Sequence, residues 1–572
     1  MNNLFSKINQ RKVWLAILLL VITFPSRMIH IDRAINIDEP FWVISSSNFY
    51  YAITHKNFED TYFEYHPGVT NMWIISTALF FYFPEYRAYE QGFFDTRKPK
   101  YEEFMRSHGK EAIELVRISR YIQAGILTFL VIAAFLLLSI LIGENAALLA
   151  TALAIISPFF LGHSRLLNME GMVALFVLVS LLGMQVYINK ERKIIYLLLS
   201  GAAFGLAQLT KSTSIVLIGV VTLILFIDLF KRVEQDFSVK LWNTIRTFLI
   251  WLGAAVLIYF LLWPGMWVAP GRMLSEVYGN AFSYAFQGAR LEVTEQLQPS
   301  SFSLTTRLDG VFQYLQKWGA STTPLTWLGL IFSIFAVFSK DKQRSQSPTR
   351  STLVYLAILG GLFIAMFGIA QGRNSQHYIL SSYVCFDVMA GIGWGYAWAW
   401  MQSRWTVINR VYISILFFIF LIGTQISLGL PYAPYYFNYK SPFASEAATL
   451  GYGEGLAQAA DYLSQKPNAK DIRAYVYNGM GTFSFFFPGE TLVFKRVYLI
   501  TSDYSTITNE MRESDYLVLY PIIREQQPET EKIFRAFHDI SPEKTIIING
   551  LDYIYIYRTI DIPEIVYEKI LQ

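Results

Sequence analysis

Charge is what this sequence has least of. Asp, Glu, Lys and Arg make up 16% of its 572 residues, against about a quarter in a typical soluble domain. With 53% hydrophobic residues and a mean hydropathy of +0.35, the chain reads as one that crosses a membrane several times. Cysteine is nearly absent. Cys385 is the only one and lies in an apolar run, which excludes a disulfide framework and a cysteine-based metal site. An excess of one sign of charge is missing too: the net charge is +4 and is spread along the chain, so nothing points to nucleic acid. There is no solenoid-type repeat and no low-complexity tract. The start is basic (Lys7, Arg11, Lys12), followed by an apolar run from Val13 to about Phe24. "PSRMIHIDR" follows in place of a small-x-small cleavage site, so the run reads as an uncleaved first span.

Long apolar runs are abundant. A span needs about 20 mostly apolar residues. Eleven runs qualify: 13–30, 117–142, 146–162, 171–188, 194–210, 213–230, 247–263, 322–338, 352–370, 379–400 and 408–430. A twelfth, Asn71 to Phe83, is too short to span comfortably and has polar flanks. It is expected to lie in the interface or to be re-entrant. Aromatics at 16% suit Trp and Tyr at headgroup level. Basic short loops mark the cytoplasmic side. With eleven spans and a cytoplasmic N-terminus, the loops 189–193, 231–246, 339–350 and 401–410 all fall inside, and these are the basic ones. A full span at Asn71–Phe83 would move most of them outside. Residues 31–116 then form a long first outer loop. From 431 to 572 no spanning run occurs. A helix-like stretch, "EGLAQAADYLSQ", mixes there with strand-like "AYVYN", "YLVLY", "TIIIN" and "DYIYIY", the pattern of a small α/β domain. By parity it is extracytoplasmic.

This assignment puts six polar clusters on the outer face: Asp38-Glu39, "YHPGVTNMW" (65–73), "GHSRLLNMEG" (162–171), "LTKSTS" (209–214), "LLWPGMWVAP" (261–270) and "QGRNSQHYIL" (371–380). Any one alone reads equally well as snorkelling cations or a Pro-Gly turn. Ionisable residues at membrane depth are costly and mark sites, so six on one face read as an anion-binding cavity with carboxylates beside it.

The clusters resemble the GT-C class of membrane glycosyltransferases, within it the group of protein O-mannosyltransferases and lipid A aminoarabinose transferases. That group carries an acidic pair soon after the first span, matched by Asp38-Glu39. Its "HPP"-like segment is matched by His66-Pro67-Gly68, with Gly for the second Pro. Its "SR…D" segment is matched by Ser164-Arg165 with Glu170, and its "LTKP" turn by Leu209-Thr210-Lys211 with Ser212 for Pro. Its "R/K-x-x-R-Y" entry to a late span is loosely matched by Arg373 to Tyr378, with His377 at the second basic position. "GYGEGLAQAADYL" also looks like the start of the outer domain in related members.

The resemblance implies an all-α polytopic membrane domain over 1–430, GT-C-like, with about eleven transmembrane helices and interfacial helices in the loop 31–116. A small C-terminal α/β domain follows over 431–572. It implies inverting transfer of a sugar from a polyprenyl-phosphate donor to a lipid, glycan or protein acceptor, among membrane lipids at the extracytoplasmic face. One base takes the acceptor proton and cations hold the phosphate. Asp38 is the expected base, with Glu39 as alternative base, orienting partner or helix cap. His66, Arg165, Glu170, Lys211, Arg373, His377 and Tyr378 are expected at the donor phosphate or substrate. Trp263 and Trp267 suit either sugar stacking or the interfacial belt. Some relatives use a divalent cation and others do not. The two histidines and several carboxylates show no ligand spacing, so the metal stays open. The rival reading is a polytopic transporter or flippase for an anionic or lipid-linked substrate. Such proteins tend to carry paired repeats and midplane sites, whereas these clusters lie at span ends.

Overall fold

The computed structural model describes residues 10–89, 100–190, 192–231, 236–287, 304–339, 347–370, 375–404, 410–444, 451–525 and 527–572. Helices of the first half are α1 (Gln10–Met28), α2 (Glu39–Thr54), α3 (Val69–Tyr82), α4 (Lys100–Ser107), α5 (Ala112–Ile142), α6 (Glu144–Ile155), α7 (Pro158–Ser164), α8 (Glu170–Asn189), α9 (Ile194–Thr210), α10 (Val216–Lys231) and α11 (Phe237–Leu262). Later helices are named by their residues.

Each of the eleven apolar runs is helical for most of its length. Among the described residues, six helices are long and apolar enough to cross a membrane: α5, α8, α10 with its leading turn, α11, Pro348–Ile369 and Val411–Tyr432. Two bent pairs raise the number to eight: α6 with α7, bent by 66°, and Arg307–Ala320 with Pro324–Phe338, bent by 114°. The other three runs fall short of this test by length or composition. Helix α9 has 17 residues. Helix α1 carries Arg11, Lys12 and Arg27. Leu380–Arg404 carries Asp387 and several Gly, Trp and Tyr. The run 146–162 is not one helix, because Pro158 starts α7 and proline cannot donate into a continuing helix. Helix α3 has 14 residues, too few to span.

The chain divides into two compact units. The first is Met1–Ile29, Lys56–Asn71 and Tyr121–Ala448; the second is His30–His55, Met72–Arg120 and Thr449–Gln572. In the first unit the helices are joined by small residues and hydroxyls, as expected where lipid removes the hydrophobic drive between helices. Ser180 on α8 donates to the Ser200 carbonyl on α9 at 2.7 Å, and Ser200 donates back to the Ser180 carbonyl at 2.6 Å. The buried Trp251 indole on α11 donates to Ser200 Oγ at 3.0 Å.

The second unit is built on a five-stranded sheet. Its strands are β1 (Arg473–Val476), β2 (Glu490–Val493), β3 (Tyr516–Leu519), β4 (Lys544–Ile548) and β5 (Leu551–Arg558), in the order β2-β1-β3-β5-β4. β1 pairs in parallel with β2 and β3, while β5 pairs antiparallel with β3 and β4. Asn549-Gly550 closes the β4–β5 hairpin with both φ positive, at 51° and 79°, as a two-residue primed turn requires. The segment read as helix-like is the helix Leu456–Ser464. Parts of the first loop belong to this unit. Arg106 on α4 donates to the Ser484 and Phe487 carbonyls at 3.1 and 2.8 Å. Tyr101 and Ser47 tie α4 to α2 through their hydroxyls at 2.7 Å.

Candidate active site

Four segments far apart in sequence meet in the first unit. Lys211 follows the end of α9 and Glu170 begins α8. The Lys211 ammonium donates to Glu170 Oε1 at 2.6 Å, with both side chains almost wholly buried. Lys211 Nζ also lies 4.7 Å from the centre of the Tyr378 ring, within cation–π range. His377 Nε2 is 4.0 Å from the same Glu170 oxygen. Thus Glu170, Lys211, His377 and Tyr378 form one buried cluster of mixed charge.

The His66 turn is stitched to the Lys211 turn. Gly68 N–H donates to the Thr210 carbonyl at 3.1 Å, Thr70 donates to the Thr210 hydroxyl at 2.8 Å, and His66 Nδ1 is 3.2 Å from Ser212 Oγ. Gly68 has φ +61°. Proline is locked near −65°, so this turn cannot take the second Pro of the "HPP" pattern. Burial, and after it the nearby Lys211 ammonium, hold the His66 pKa well below its usual 6.5. His66 is therefore a neutral hydrogen-bonding ring at pH 7.

Arg165 closes α7. Its guanidinium lies 5.2 Å from the Tyr436 ring centre and donates to the Pro434 carbonyl at 3.4 Å. His163, fully buried two residues earlier, links this region to the cluster. Its ring centre is 5.7 Å from that of His377 and 5.3 Å from that of Phe437. His163 stands inside the quoted "GHSR" segment, but the pattern gave it no role; only packing brings it beside His377. Trp263 is buried, its indole donating to the Thr61 carbonyl at 3.2 Å, whereas Trp267 is half exposed. Arg373 lies outside the described residues. Among the described residues, no three His, Cys, Asp or Glu side chains stand close enough together to hold a metal ion.

The adjacent carboxylates of the second unit differ sharply. Asn36 Oδ1 accepts from Glu39 N–H at 2.9 Å, and Asn36 N–H donates to Glu39 Oε2 at 2.8 Å. This reciprocal pair closes the turn that leads into α2. Glu39 has no exposed surface, and Arg120 near the start of α5 donates to both its oxygens, at 2.6 and 2.7 Å. Arg120 also donates to the carbonyls of Ile31 and Ala34. Asp38 makes no side-chain cap bond and keeps part of its surface exposed. Its Oδ2 accepts from the Tyr452 hydroxyl at 2.9 Å. Neither Arg120 nor Tyr452 was a sequence candidate.

The fold is that of the GT-C glycosyltransferases, membrane enzymes that use polyprenyl-phosphate donors, and the chain resembles this class. Residues 116–267 match the family model of dolichyl-phosphate-mannose-protein mannosyltransferases, a stretch that holds Arg165, Glu170 and Lys211. Among solved structures, ArnT from Cupriavidus metallidurans in the apo state is similar at TM-score 0.50 and 13% identity, covering 96% of this chain and 97% of that one. The Archaeoglobus fulgidus oligosaccharyltransferase in complex with Zn and sulfate is similar at TM-score 0.50 and 13% identity, over 91% of this chain and 69% of that one. The same ArnT bound to undecaprenyl phosphate aligns at TM-score 0.47 and 11% identity, over 97% and 98%. No curated protein matches by sequence. Several apolar helices and the GT-C fold make this an integral membrane protein.

Proposed function

We propose that the chain transfers a sugar, with inversion, from a polyprenyl-phosphate carrier to a lipid, glycan or protein acceptor at the extracytoplasmic face. The observation that supports this most is the buried Glu170–Lys211–His377–Tyr378 cluster, half of which lies inside the matched family segment. A lipid-linked phosphate is an anion that must be held and then released with the bonding electrons. Lys211 offers a point charge, and Arg165 a planar fork suited to phosphate. The neutral His66 ring and the His377 ring offer hydrogen bonds. Glu170 sets the Lys211 position and tempers its charge.

In this reading the acceptor hydroxyl attacks the anomeric carbon from the face opposite the phosphate. The new C–O bond forms as the C–O bond to phosphate breaks, and the polyprenyl phosphate departs with the electron pair. Asp38 takes the acceptor proton. Glu39 is the poorer base, because it has no exposed surface and both its oxygens are engaged by Arg120. The N-terminus is then cytoplasmic, 1–430 is the catalytic membrane domain, and 431–572 is an extracytoplasmic domain.

The test is the purified chain with polyprenyl-phosphate mannose, glucose, galactose and aminoarabinose, each with a panel of lipid, glycan and Ser/Thr-peptide acceptors, read as polyprenyl phosphate released as the sugar passes to an acceptor or to water. One donor is expected to turn over, and Asp38→Asn to lower its turnover by at least about 100-fold. A wild type inert on every donor, or one that moves a donor across a vesicle without cleaving it, overturns the reading. Full turnover in Asp38→Asn removes Asp38 as base.

A further inference from the structure

The segment Gly451-Tyr452-Gly453-Glu454-Gly455 precedes the helix Leu456–Ser464 and has no part in the mechanism above. All three glycines take positive φ, at 59°, 105° and 84°, a backbone that glycine alone adopts at little cost. A β-carbon on Gly453 would come 2.6 Å from the Ile35 carbonyl oxygen, so the loop lies directly on the turn that carries Asn36, Asp38 and Glu39. Glu454, with no exposed surface, pins the loop from within. Its Oε2 accepts from Tyr452 N–H and from the Tyr520 hydroxyl, both at 2.5 Å. The Tyr520 oxygen in turn accepts from Gly453 N–H at 3.2 Å. Tyr520 directly follows β3, the strand between β1 and β5. A buried carboxylate so engaged is costly to disturb, so the backbone of Tyr452 is held by the sheet. Its side chain, 4% exposed, then has its hydroxyl on Asp38 Oδ2 at 2.9 Å.

We propose that Tyr452 is a positioning residue for the Asp38 base, and that the C-terminal sheet, through Glu454 and Tyr520, sets the orientation of that carboxylate. This rests on Asp38 being the base. A phenol donating to one oxygen fixes the carboxylate rotamer. It leaves the carboxylate able to accept a proton, since the two oxygens offer about four acceptor sites. The C-terminal domain is thus a structural part of the base assembly, whatever acceptor it also meets.

The experiment is Tyr452→Phe in the full-length protein in lipid nanodiscs, with whichever of the four polyprenyl-phosphate sugars turns over. A loosened base lowers kcat by about 10- to 100-fold, while the donor KM stays within about twofold, because donor binding does not use Asp38. A merely structural tyrosine lowers the folded fraction and leaves turnover per folded molecule unchanged. That outcome, or an unaltered kcat, overturns the proposal. Tyr520→Phe loosens the same frame one bond further away and is expected to lower kcat by a smaller factor at constant KM. It carries the test if Tyr452→Phe does not fold, and an unaltered kcat there overturns the proposal likewise. Asp38→Asn separates the two levels. If it retains turnover, the base assignment falls and Tyr452 with it. If it abolishes turnover while Tyr452→Phe and Tyr520→Phe keep theirs, only the positioning role falls.

Discussion

Glu39 is wholly buried and bound through both oxygens to the Arg120 guanidinium. Removing one member of such a pair strands a charge without water and costs about 3–5 kcal/mol. Glu39→Ala is therefore expected to lower the melting temperature strongly, whereas Asp38→Asn, at a partly exposed position, leaves it nearly unchanged while stopping turnover. Paired thermal melts and turnover assays read the contrast; equal melting losses in the two variants would refute the division of labour. His66 yields a second residue-scale expectation. Its folded pKa lies well below 6.5, so at pH 7 it is neutral in both folded and unfolded chains. As pH falls through about 6.5 the unfolded chain takes up a proton that the native site refuses, and stability drops with pH. His66→Gln cannot titrate and is expected to flatten the decline in melting temperature between about pH 6.5 and 5. A parallel decline in both proteins would assign the acid sensitivity to other groups.

At the scale of elements, α9 and α11 owe their close approach to Gly201 and Gly205, one turn apart. A β-carbon on Gly205 would stand 2.5 Å from the Ala255 carbonyl oxygen. Backbone cannot yield as a side-chain tip can, so Gly205→Val is expected to push the helices apart at about 1–3 kcal/mol, read as a lower melting temperature in detergent. An unchanged melt would show that α9 is not held there. The same contact explains what sequence reading could and could not reach. Apolar runs foretell helices because lipid leaves the backbone no other partner, and all eleven runs are helical. The break at Pro158 is a local signal within the run 146–162, and the 114° bend before Pro324 follows a Thr-Thr-Pro turn. Strands β1, β3, β4 and β5 show themselves as short β-branched and aromatic runs. β2 does not, because its four residues "ETLV" carry too little pattern, and it forms only because β1 offers a parallel edge.

At the scale of the whole molecule, the polar residues that matter are legible as types near span ends, but their partnerships are not. Arg120 stands 81 residues from Glu39, inside an apolar run where it reads as an exception; Tyr452 stands 414 residues from Asp38. No local pattern separates the two carboxylates; their long-range partners do. Sidedness is also a property of the whole chain, and it rests on parity. Between Lys190 and Ser403 lie the runs 194–210, 213–230, 247–263, 322–338, 352–370 and 379–400. If all six cross, Lys190 and Ser403 share a side, and the run 408–430 puts Ser541 on the other. The 114° pair Arg307–Ala320 and Pro324–Phe338 is the step most open to a different outcome. If it is re-entrant, Lys190 and Ser403 face opposite sides. Cys385 is buried and is the only cysteine, so a Cys385→Ala background carrying Lys190→Cys, Ser403→Cys or Ser541→Cys, all at exposed positions, reports each side singly. In sealed right-side-out vesicles an impermeant maleimide is expected to label Ser541→Cys at once, and Lys190→Cys and Ser403→Cys only after permeabilisation. Labelling of Ser403→Cys without Lys190→Cys would make the bent pair re-entrant. The C-terminal domain would then share the cytoplasmic side with Lys190, where acceptors outside the membrane could not reach it.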